Sequence, residues 1–292
     1  MVEASYAQLS DGRQIAYQEY GDPDGQPVFF FHGWLGSRLD FAPNDQLAGD
    51  LGARVIALDR PGCGESDFQP DRRLLDWPGD VSDVADALGF GEFAVCGHSF
   101  GGPFVAACAY SIPDRITSAA IVAGISPLSF DGATSGMPAL VRFVLWLGRI
   151  APPLTRPYVA FMARMAKSPD SLKKGIESQL SDDEAALLST PRFDGFFENF
   201  GEMTKHGSTG AYWDARVFLE DWGFDCADID ASVALFYGTE DSNVPIQMGE
   251  YYRDAMPNST ATFYEGEGHL IMYSRAKEIL DTLLAGSPEL SA

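Results

Sequence analysis

The chain has few cysteines and little lysine. Its 292 residues include four cysteines, none of them in the C-x-x-C spacing of metal-binding and redox motifs. Two of the four lie inside apolar runs, which predicts buried, reduced thiols rather than disulfides. Only five of the 20 basic residues are lysine, against 42 acidic residues. We therefore expect neither a disulfide framework nor a basic surface.

The net charge of −22 disfavours a nucleic-acid partner, because the phosphate backbone would be repelled. Strong acidity with scarce lysine resembles the composition of proteins from salt-loving organisms, in which abundant cations screen self-repulsion. The composition therefore predicts a halophilic type of acidic surface and no nucleic-acid partner.

Long apolar runs are also absent. No stretch approaches the roughly 18 uninterrupted apolar residues of a membrane-spanning helix, and the first residues lack the basic start and apolar stretch of a signal peptide. These features predict a cytoplasmic protein without stable membrane insertion. Contact of surface helices with a membrane is less favoured, because Arg142 and Arg149 interrupt the apolar surface.

Short apolar runs that end in turn residues do occur, and they alternate with segments of helical length. Examples are "QPVFFFHG", "ARVIALDRPG" and "EFAVCGHS", each of which is typical of a strand. Strands that alternate with helices form a mostly parallel sheet with helices on both faces. The pattern therefore predicts an α/β fold.

The alternation stops after about residue 125. Residues 126–227 contain helical segments without a clear strand pattern, and strand patterns return with "SVALFYG" and "ATFYEG". This change predicts a core domain formed by residues 1–125 and 228–292. The helical residues 126–227 would then form an inserted cap domain, or lid.

The stretch "GHSFG", residues 97–101, fits the pattern G-x-S-x-G where a strand pattern gives way to a helix pattern. In such a turn a strained backbone lifts the serine hydroxyl above the sheet, and the glycines allow close approaches that a Cβ would block. Ser99 is therefore the candidate nucleophile. A serine hydroxyl also needs a base that takes its proton.

The base must be one of four histidines. His269 lies on a glycine-flanked loop after the last apparent strand, at the sheet edge that Ser99 also occupies, and is the favoured base. We expect His98 to be a packing residue, His32 to brace a loop, and His206 to lie on the surface.

The acid that orients the base should also follow a strand. Asp241 comes just after the run "VALFY" and precedes polar turn formers that can fix its loop, whereas Glu240 is expected to face solvent. Asp131 is the alternative, because its loop lies at the same sheet edge. With Asp241, the chain order is serine, acid, histidine, as expected when a G-x-S-x-G turn carries the nucleophile.

Backbone N–H groups are expected to stabilise the oxyanion. The N–H of Phe100 is one candidate, because free amides and the helix dipole at a helix start favour negative charge. The N–H of Trp34, in the loop "HGWLG", is the second candidate. The Trp34 ring can also form a wall of the pocket.

Five motifs in order, "HGWLGS", "DRPGCGESD", "GHSFGG", "GTEDSNVP" and "GEGH", resemble those of the α/β-hydrolase fold superfamily. The resemblance is to its lid-bearing serine esterases, haloperoxidase-like enzymes and C–C hydrolases, over roughly residues 10–125 and 228–285. It implies a mostly parallel central sheet flanked by helices, with the cap inserted after the sixth strand. It also implies that "DRPGCGES" shapes the floor of the site without catalysing. Ser99 in place of an aspartate argues against haloalkane dehalogenase and epoxide hydrolase chemistry.

These observations predict a hydrolase that cleaves a small, neutral, largely apolar carboxylic ester through an acyl-enzyme. The alternatives are C–C bond, lactone or peptide hydrolysis with the same triad, or a ligand-sensing role with slow turnover. No cofactor or metal is expected, because the sequence has no zinc-ligand cluster and no dinucleotide-binding fingerprint. The partner is a small-molecule substrate. Candidate pocket walls are Trp34, Phe130, Met137, Trp146, Phe161 and Trp213.

Overall fold

One eight-stranded sheet runs through the computed structural model, which describes residues 3–169, 172–173 and 181–286. In chain order its strands are β1 (Ser5–Gln8), β2 (Gln14–Gly21), β3 (Gln26–Phe31), β4 (Ala53–Leu58), β5 (Phe93–His98), β6 (Ile116–Val122), β7 (Val233–Gly238) and β8 (Ser259–Tyr264). The spatial order is β1-β2-β4-β3-β5-β6-β7-β8. β2 pairs antiparallel with β1 and β4, and all other neighbours are parallel.

The mostly parallel sheet predicted from the sequence is thus confirmed. Strand β1 was not predicted, because it is four residues long and three of them are exposed, which leaves almost no apolar pattern. Strands β3, β4, β5, β7 and β8 coincide with the apolar runs named above. Buried parallel strands have helices on both faces, so such a strand is apolar at nearly every position.

Two hydrophobic clusters cover the two faces of the sheet. Successive side chains of β3 point to opposite faces, so Phe29 and Phe31 belong to one cluster and Val28 and Phe30 to the other. This alternation explains why "VFFF" contains no polar residue. Both faces of the strand are in the interior.

Helices flank the sheet. In the described residues they are α1 (Asp45–Asp50), α2 (Trp77–Leu88), α3 (Gly102–Ser111), α4 (Ala139–Ile150), α5 (Arg156–Ala166), α6 (Asp182–Leu188), α7 (Glu198–Met203), α8 (Thr209–Leu219), α9 (Ile246–Ala255), α10 (Ile271–Ser274) and α11 (Ala276–Leu284). Before α1 the chain forms a 3-10 turn, Arg38–Asn44. Pro43 lies in that turn and has no N–H for an α-helical hydrogen bond. None of these helices combines the length and hydropathy needed to cross a bilayer.

Helices α4 to α8 connect β6 to β7. The described part of this connection also has turns and loops but no strand, and it contacts the loops at the carboxyl ends of the strands. Asn199 on α7 accepts a hydrogen bond from Ser37 Oγ at 2.6 Å, and Asp214 on α8 pairs with Arg60 after β4. Buried polar contacts therefore fix the connection to the body of the sheet.

Candidate active site

Ser99 lies at a sharp turn between β5 and α3. Its backbone φ is +56°, in the left-handed region, where a non-glycine residue costs on the order of 1–3 kcal/mol. A Cβ on Gly97 would lie 2.4 Å from the carbonyl oxygen of Gly101, and a Cβ on Gly101 would lie 2.1 Å from that of Phe31. The turn therefore requires both glycines of the G-x-S-x-G pattern.

His269 and Asp241 form a hydrogen-bonded pair at the carboxyl ends of β7 and β8. His269 Nδ1 lies 2.7 Å from Asp241 Oδ2 and donates to it, because a carboxylate oxygen only accepts. The other carboxylate oxygen accepts the backbone N–H groups of Asn243 at 2.8 Å and Val244 at 2.9 Å. The turn after β7 thus holds Asp241, and Asp241 holds the ring of His269.

The charge balance around His269 favours its protonated form. Burial disfavours the imidazolium, but the carboxylate of Asp241, together with those of Glu184 and Asp40, outweighs it, so the pKa of His269 is raised above its usual value of 6.5. With the Nδ1 proton directed at Asp241, a neutral His269 has its lone pair on Nε2. This is the protonation state of a general base.

His98 is buried beside this pair and supports the loop that carries His269. Its Nε2 donates to the carbonyl oxygen of His269 at 3.1 Å, and the two ring centroids are 4.9 Å apart. Burial and the neighbouring His269 lower the pKa of His98 to about 3, so it stays neutral. The expectation that His98 is a packing residue agrees with this position, although its ring also lines the cavity described below.

The loop after β3 approaches Ser99 closely. A Cβ on Gly33 would lie 3.4 Å from the Cβ of Ser99, so the backbone of the loop is in contact with the serine. The N–H of Gly33 donates to Asp40 Oδ2 at 3.3 Å. The next residue, Trp34, packs its ring near that of Phe100, with centroids 5.8 Å apart. Trp34 and Phe100, whose N–H groups are the predicted oxyanion donors, thus lie on the two segments that meet at Ser99.

Asp40 is a buried carboxyl group that sequence reasoning missed. Burial raises its pKa, while hydrogen bonds from the Gly33 N–H, the Tyr273 hydroxyl at 3.1 Å and Asn199 Nδ2 at 2.8 Å partly offset the burial. These donors come from the loop after β3, from α10 and from α7. No local motif marks Asp40, because its side-chain partners, Tyr273 and Asn199, are remote in the sequence.

Arg60 supports the same loop from the other side. This fully buried side chain donates to the carbonyl oxygen of His32 at 2.6 Å and to that of Gly33 at 3.2 Å. His32 Nδ1 also donates to the Gly33 carbonyl oxygen at 2.7 Å, so His32 braces the loop as expected. The motif "DRPGCGES" thus acts on the site through Arg60.

A cavity of about 430 Å³ lies between the carboxyl ends of the strands and helices α4 to α8. Ser99 and His269 both line it, as do the oxyanion candidates Trp34 and Phe100. Most other walls are apolar side chains from the β6–β7 connection and its neighbours: Met137, Val141, Val144, Leu145, Val159, Met162, Leu188, Phe196, Phe218 and Leu219. The nucleophile and base candidates therefore face an apolar chamber.

Four of the six candidate pocket walls lie elsewhere. Trp146 and Phe161 point outward and are 55% and 57% exposed. Phe130 stacks on Tyr251 with ring centroids 4.8 Å apart, and Trp213 packs edge-on against Phe68. Sequence spacing does not say which side of a helix faces inward, and Trp146 in particular lies on α4, which is apolar on two sides. Trp34 and Met137 do line the cavity.

The remaining titratable candidates are outside the cavity. Asp131 and Glu240 are exposed. The ring of His206 is 68% exposed and its Nε2 lies 3.0 Å from Glu65 Oε2. All four cysteines are free and buried, and the described residues contain no cluster of His, Cys, Asp or Glu that could hold a metal ion.

Comparisons with known proteins identify the family of this chain. The α/β hydrolase fold family model matches residues 26–276. A non-heme chloroperoxidase of Streptomyces lividans is 29% identical over 289 residues, which are 94% of this chain and 96% of that protein. A bifunctional esterase/perhydrolase of Acinetobacter calcoaceticus is 25% identical over 303 residues, 96% of this chain and 98% of that protein.

Solved structures agree. An esterase from Exiguobacterium antarcticum superposes with a TM-score of 0.70 over 97% of this chain and 98% of that one, at 17% sequence identity. At that identity the likeness shows the fold alone, whereas the curated relatives support a hydrolase. Because the family model spans most of the sequence, the chain belongs to the α/β hydrolase fold family.

Proposed function

We propose that the chain is a serine hydrolase that cleaves carboxylic esters through an acyl-enzyme. The observation that carries the proposal is the arrangement of three side chains. Ser99, on its strained turn, lines the same cavity as His269, and His269 Nδ1 lies 2.7 Å from Asp241 Oδ2. Asp131, the alternative acid, is exposed and has no such contact with His269, so we assign the orienting role to Asp241.

The reaction follows from this arrangement. His269 Nε2 takes the proton of Ser99 Oγ as the oxygen attacks the ester carbonyl carbon, and Asp241 stabilises the imidazolium that forms. His269 then gives the proton to the leaving alkoxide, which departs as the alcohol. Water, deprotonated by His269, attacks the acyl-enzyme and releases the carboxylic acid and free Ser99.

The backbone N–H groups of Trp34 and Phe100 are the proposed oxyanion donors. Phe100 directly follows Ser99 at the start of the turn that leads into α3. In the facing loop the Gly33 N–H is engaged by Asp40, which leaves the next amide, that of Trp34, as the donor at the cavity. Fixed donors at a developing negative charge contribute about 2.7–4 kcal/mol each to catalysis in enzymes of this type.

A neutral, apolar acyl group suits the cavity best. Among the described residues no Lys or Arg side chain lines it, so a carboxylate on the substrate would lose its hydration without gaining a counter-charge. Arg142, Arg149 and Arg156 are all exposed. Arg149 donates to the Leu128 carbonyl oxygen at 2.9 Å, and Arg156 packs over the Tyr212 ring.

Residues 126–227 act as the cap in this proposal, and residues 1–125 and 228–292 form the catalytic core. Helices α4 and α5 supply cavity walls such as Val141 and Met162, while Ser99, Asp241 and His269 all come from loops of the core. Substrate specificity would then be determined by the cap and chemistry by the core.

Perhydrolysis is a second candidate, and the full-length likeness to a chloroperoxidase and to an esterase/perhydrolase favours it. In that reaction hydrogen peroxide takes the place of water in attacking the acyl-enzyme, and the products are a peracid and free Ser99. Peracid formation from an ester and peroxide, abolished in Ser99→Ala, would support it.

Active-site labelling tests the main proposal. A fluorophosphonate should add once, on Ser99, and Ser99→Ala should lower kcat for a p-nitrophenyl ester by on the order of 10³-fold or more. Ser111→Ala is the matched control, because Ser111 is an exposed residue at the other end of α3. A folded Ser99→Ala protein with near-normal turnover would refute the mechanism.

A further inference from the structure

The outer side of α4 carries a row of exposed apolar side chains. Within the described residues, six of the nine large hydrophobic side chains that are exposed lie between residues 140 and 161. Those on α4 and the turn after it form what we call the outer stripe: Leu140, Phe143, Trp146, Ile150 and Leu154, each more than half exposed. Phe143 and Trp146 are in ring contact, with centroids 5.9 Å apart.

The opposite side of the same helix faces the cavity. Val141, Val144 and Leu145 are cavity walls, so α4 is apolar on two opposite sides. A helix that is apolar all round is normally buried on all sides. Here only the inner side is covered, and a contiguous apolar row in solvent indicates a contact surface.

The charge of this region is opposite to that of the rest of the chain. Residues 132–169 contain no acidic residue, the longest such stretch in a chain of net charge −22. They contain five basic residues, all with exposed side chains: Arg142, Arg149, Arg156, Arg164 and Lys167. A cationic, apolar surface complements a partner that is anionic and apolar.

Arg142 and Arg149 lie along one edge of the outer stripe. At 3.6 residues per turn they fall between the cavity side and the outer side of α4, next to Trp146 and away from Leu140. The sequence pattern suggested that they interrupt the apolar surface and so disfavour a membrane. In the helix the exposed Arg142 is instead placed to keep its guanidinium group at a lipid headgroup layer while the apolar side chains go deeper. Arg149, on the same side, also donates to the Leu128 carbonyl oxygen.

We propose that the outer stripe is a docking surface for a lipid bilayer that contains anionic lipids. Trp, Phe, Leu and Ile flanked by arginine is the composition of a helix that lies in the plane of a membrane interface. The acidic remainder of the protein does not prevent this contact, because charges beyond the Debye length of ~10 Å at 0.1 M salt are largely screened. Docking would place the outer side of α4 against the lipid, while the inner side of the same helix remains a wall of the cavity.

A second copy of the chain fits this surface less well. A two-fold symmetric contact brings the same patch of both subunits together. It would bring Arg142 and Arg149 of one subunit towards those of the other, with no acidic residue of residues 132–169 from either subunit to neutralise them. A bilayer with anionic headgroups has no such conflict.

Vesicle flotation of the full chain tests the proposal. The protein should float with vesicles of phosphatidylcholine and about one third phosphatidylglycerol, and not with phosphatidylcholine alone. Phe143→Ser with Trp146→Ser should lower the partition coefficient at least ~10-fold. Arg142→Gln with Arg164→Gln should lower it about fivefold for each charge removed.

Matched controls lie outside the stripe. Tyr6→Ser removes an aromatic ring that is 49% exposed on β1, and Lys277→Gln removes an exposed positive charge on α11. Both should float like the parent, and every variant should keep its melting temperature and its turnover of a soluble ester. The proposal is wrong if the parent does not bind anionic vesicles, or if the stripe variants bind as well as the controls. A dimer that dissociates on Trp146→Ser, without vesicle binding, would assign the surface to a second copy instead.

Discussion

Arg60 and Asp214 form a fully buried, two-point ion pair between the loop after β4 and helix α8. Arg60 Nε and Nη2 lie 2.7 and 2.6 Å from the two carboxylate oxygens of Asp214. Arg72 Nη2 adds a second charge at 3.0 Å. Burial favours the neutral acid, but the two arginines outweigh it and lower the pKa of Asp214 to about 2. Because Arg60 also donates to the His32 carbonyl oxygen, one residue joins α8 to the loop beside Ser99.

Asp214→Asn should therefore destabilise the protein strongly. The amide keeps the shape of the side chain but leaves Arg60 and Arg72 buried without a counter-charge, which costs about 3–5 kcal/mol of the free energy of unfolding. Urea denaturation measures this difference. The control is Glu220→Gln directly after the same helix, which removes the exposed partner of Arg216 and should cost less than about 1 kcal/mol. Equal effects of the two substitutions would contradict the structural role of the buried pair.

A comparison of two aspartates tests the orienting acid. Asp241→Asn should lower kcat by on the order of 10³-fold or more, because the amide can stabilise the wrong tautomer of His269 and cannot stabilise its imidazolium. Asp131→Asn should leave kcat within about twofold, since Asp131 is an exposed side chain with no contact to His269. Circular dichroism should show both variants folded. The opposite ranking would move the acid to the loop after β6.

The residues that sequence reasoning found share a local signal. Ser99 stands in a five-residue pattern, and His269 and Asp241 follow apolar runs that end in turn residues. In a parallel sheet the carboxyl ends of the strands meet at one edge, so residues far apart in sequence can be placed together from strand order alone. In the structure His269 Nδ1 lies 2.7 Å from Asp241 Oδ2, so these two residues, 28 positions apart in sequence, are in contact at that edge.

The residues that it missed depend on tertiary contacts. Asp40, Asn199 and Asp214 occur in stretches with no motif, and most of their partners lie from 142 to 233 positions away along the chain. The orientation of α4 could not be predicted from the sequence either. A helix that is apolar on two sides has no periodicity that shows which side faces the interior. The packing of all the residues between β6 and β7 determines this orientation, with Trp146 on the outside and Val144 on the inside.

Activity should depend on a single ionisation with a midpoint above the usual histidine value of 6.5. Only neutral His269 can accept the serine proton, and Asp241 favours the protonated ring and so raises the pKa of His269. The kcat/KM for a neutral ester should therefore increase with pH through that raised midpoint. Asp241→Asn should shift the midpoint of the residual activity to lower pH. A profile that is flat down to pH ~4 would exclude His269 as the base.

The raised pKa of His269 also makes the free energy of unfolding depend on pH. Since the pKa of His269 is higher in the folded state, its contribution to the free energy of unfolding is fully present below about 6.5 and is lost as the pH rises through the folded-state pKa. His98 acts in the opposite sense below 6.5, because its folded-state pKa is about 3. His98→Gln should therefore lose less stability than the parent between pH 6.5 and 5, as urea denaturation at the two values would show.

Salt should stabilise the fold. With 42 acidic and 20 basic residues the chain repels itself, and the Debye length shrinks from ~10 Å at 0.1 M salt to ~3 Å at 1 M. The melting temperature should rise between these concentrations of both NaCl and KCl. Chlorides are the appropriate salts, because sulfate also stabilises proteins by exclusion from their surface. An unchanged melting temperature in both would show that surface repulsion does not limit stability.

Acyl-chain length tests the shape of the cavity. Each buried CH₂ gains ~0.8 kcal/mol, so kcat/KM for p-nitrophenyl esters should increase by up to about fourfold per methylene from acetyl to butyryl. The increase should end when the acyl chain fills the chamber of about 430 Å³. An anionic ester that outperforms every neutral one would contradict the apolar cavity.

A pair of substitutions on α4 separates the cavity from the rest of the helix. Val144 lines the chamber, so Val144→Trp should fill part of it and move the optimum to a shorter acyl chain. Leu140→Trp adds a tryptophan at an exposed position of the same helix and should leave the chain-length profile unchanged. Since both variants insert the same side chain into one helix, an effect common to both would reflect a change in α4 itself. An effect of Val144→Trp alone would place the acyl group against the inner side of α4.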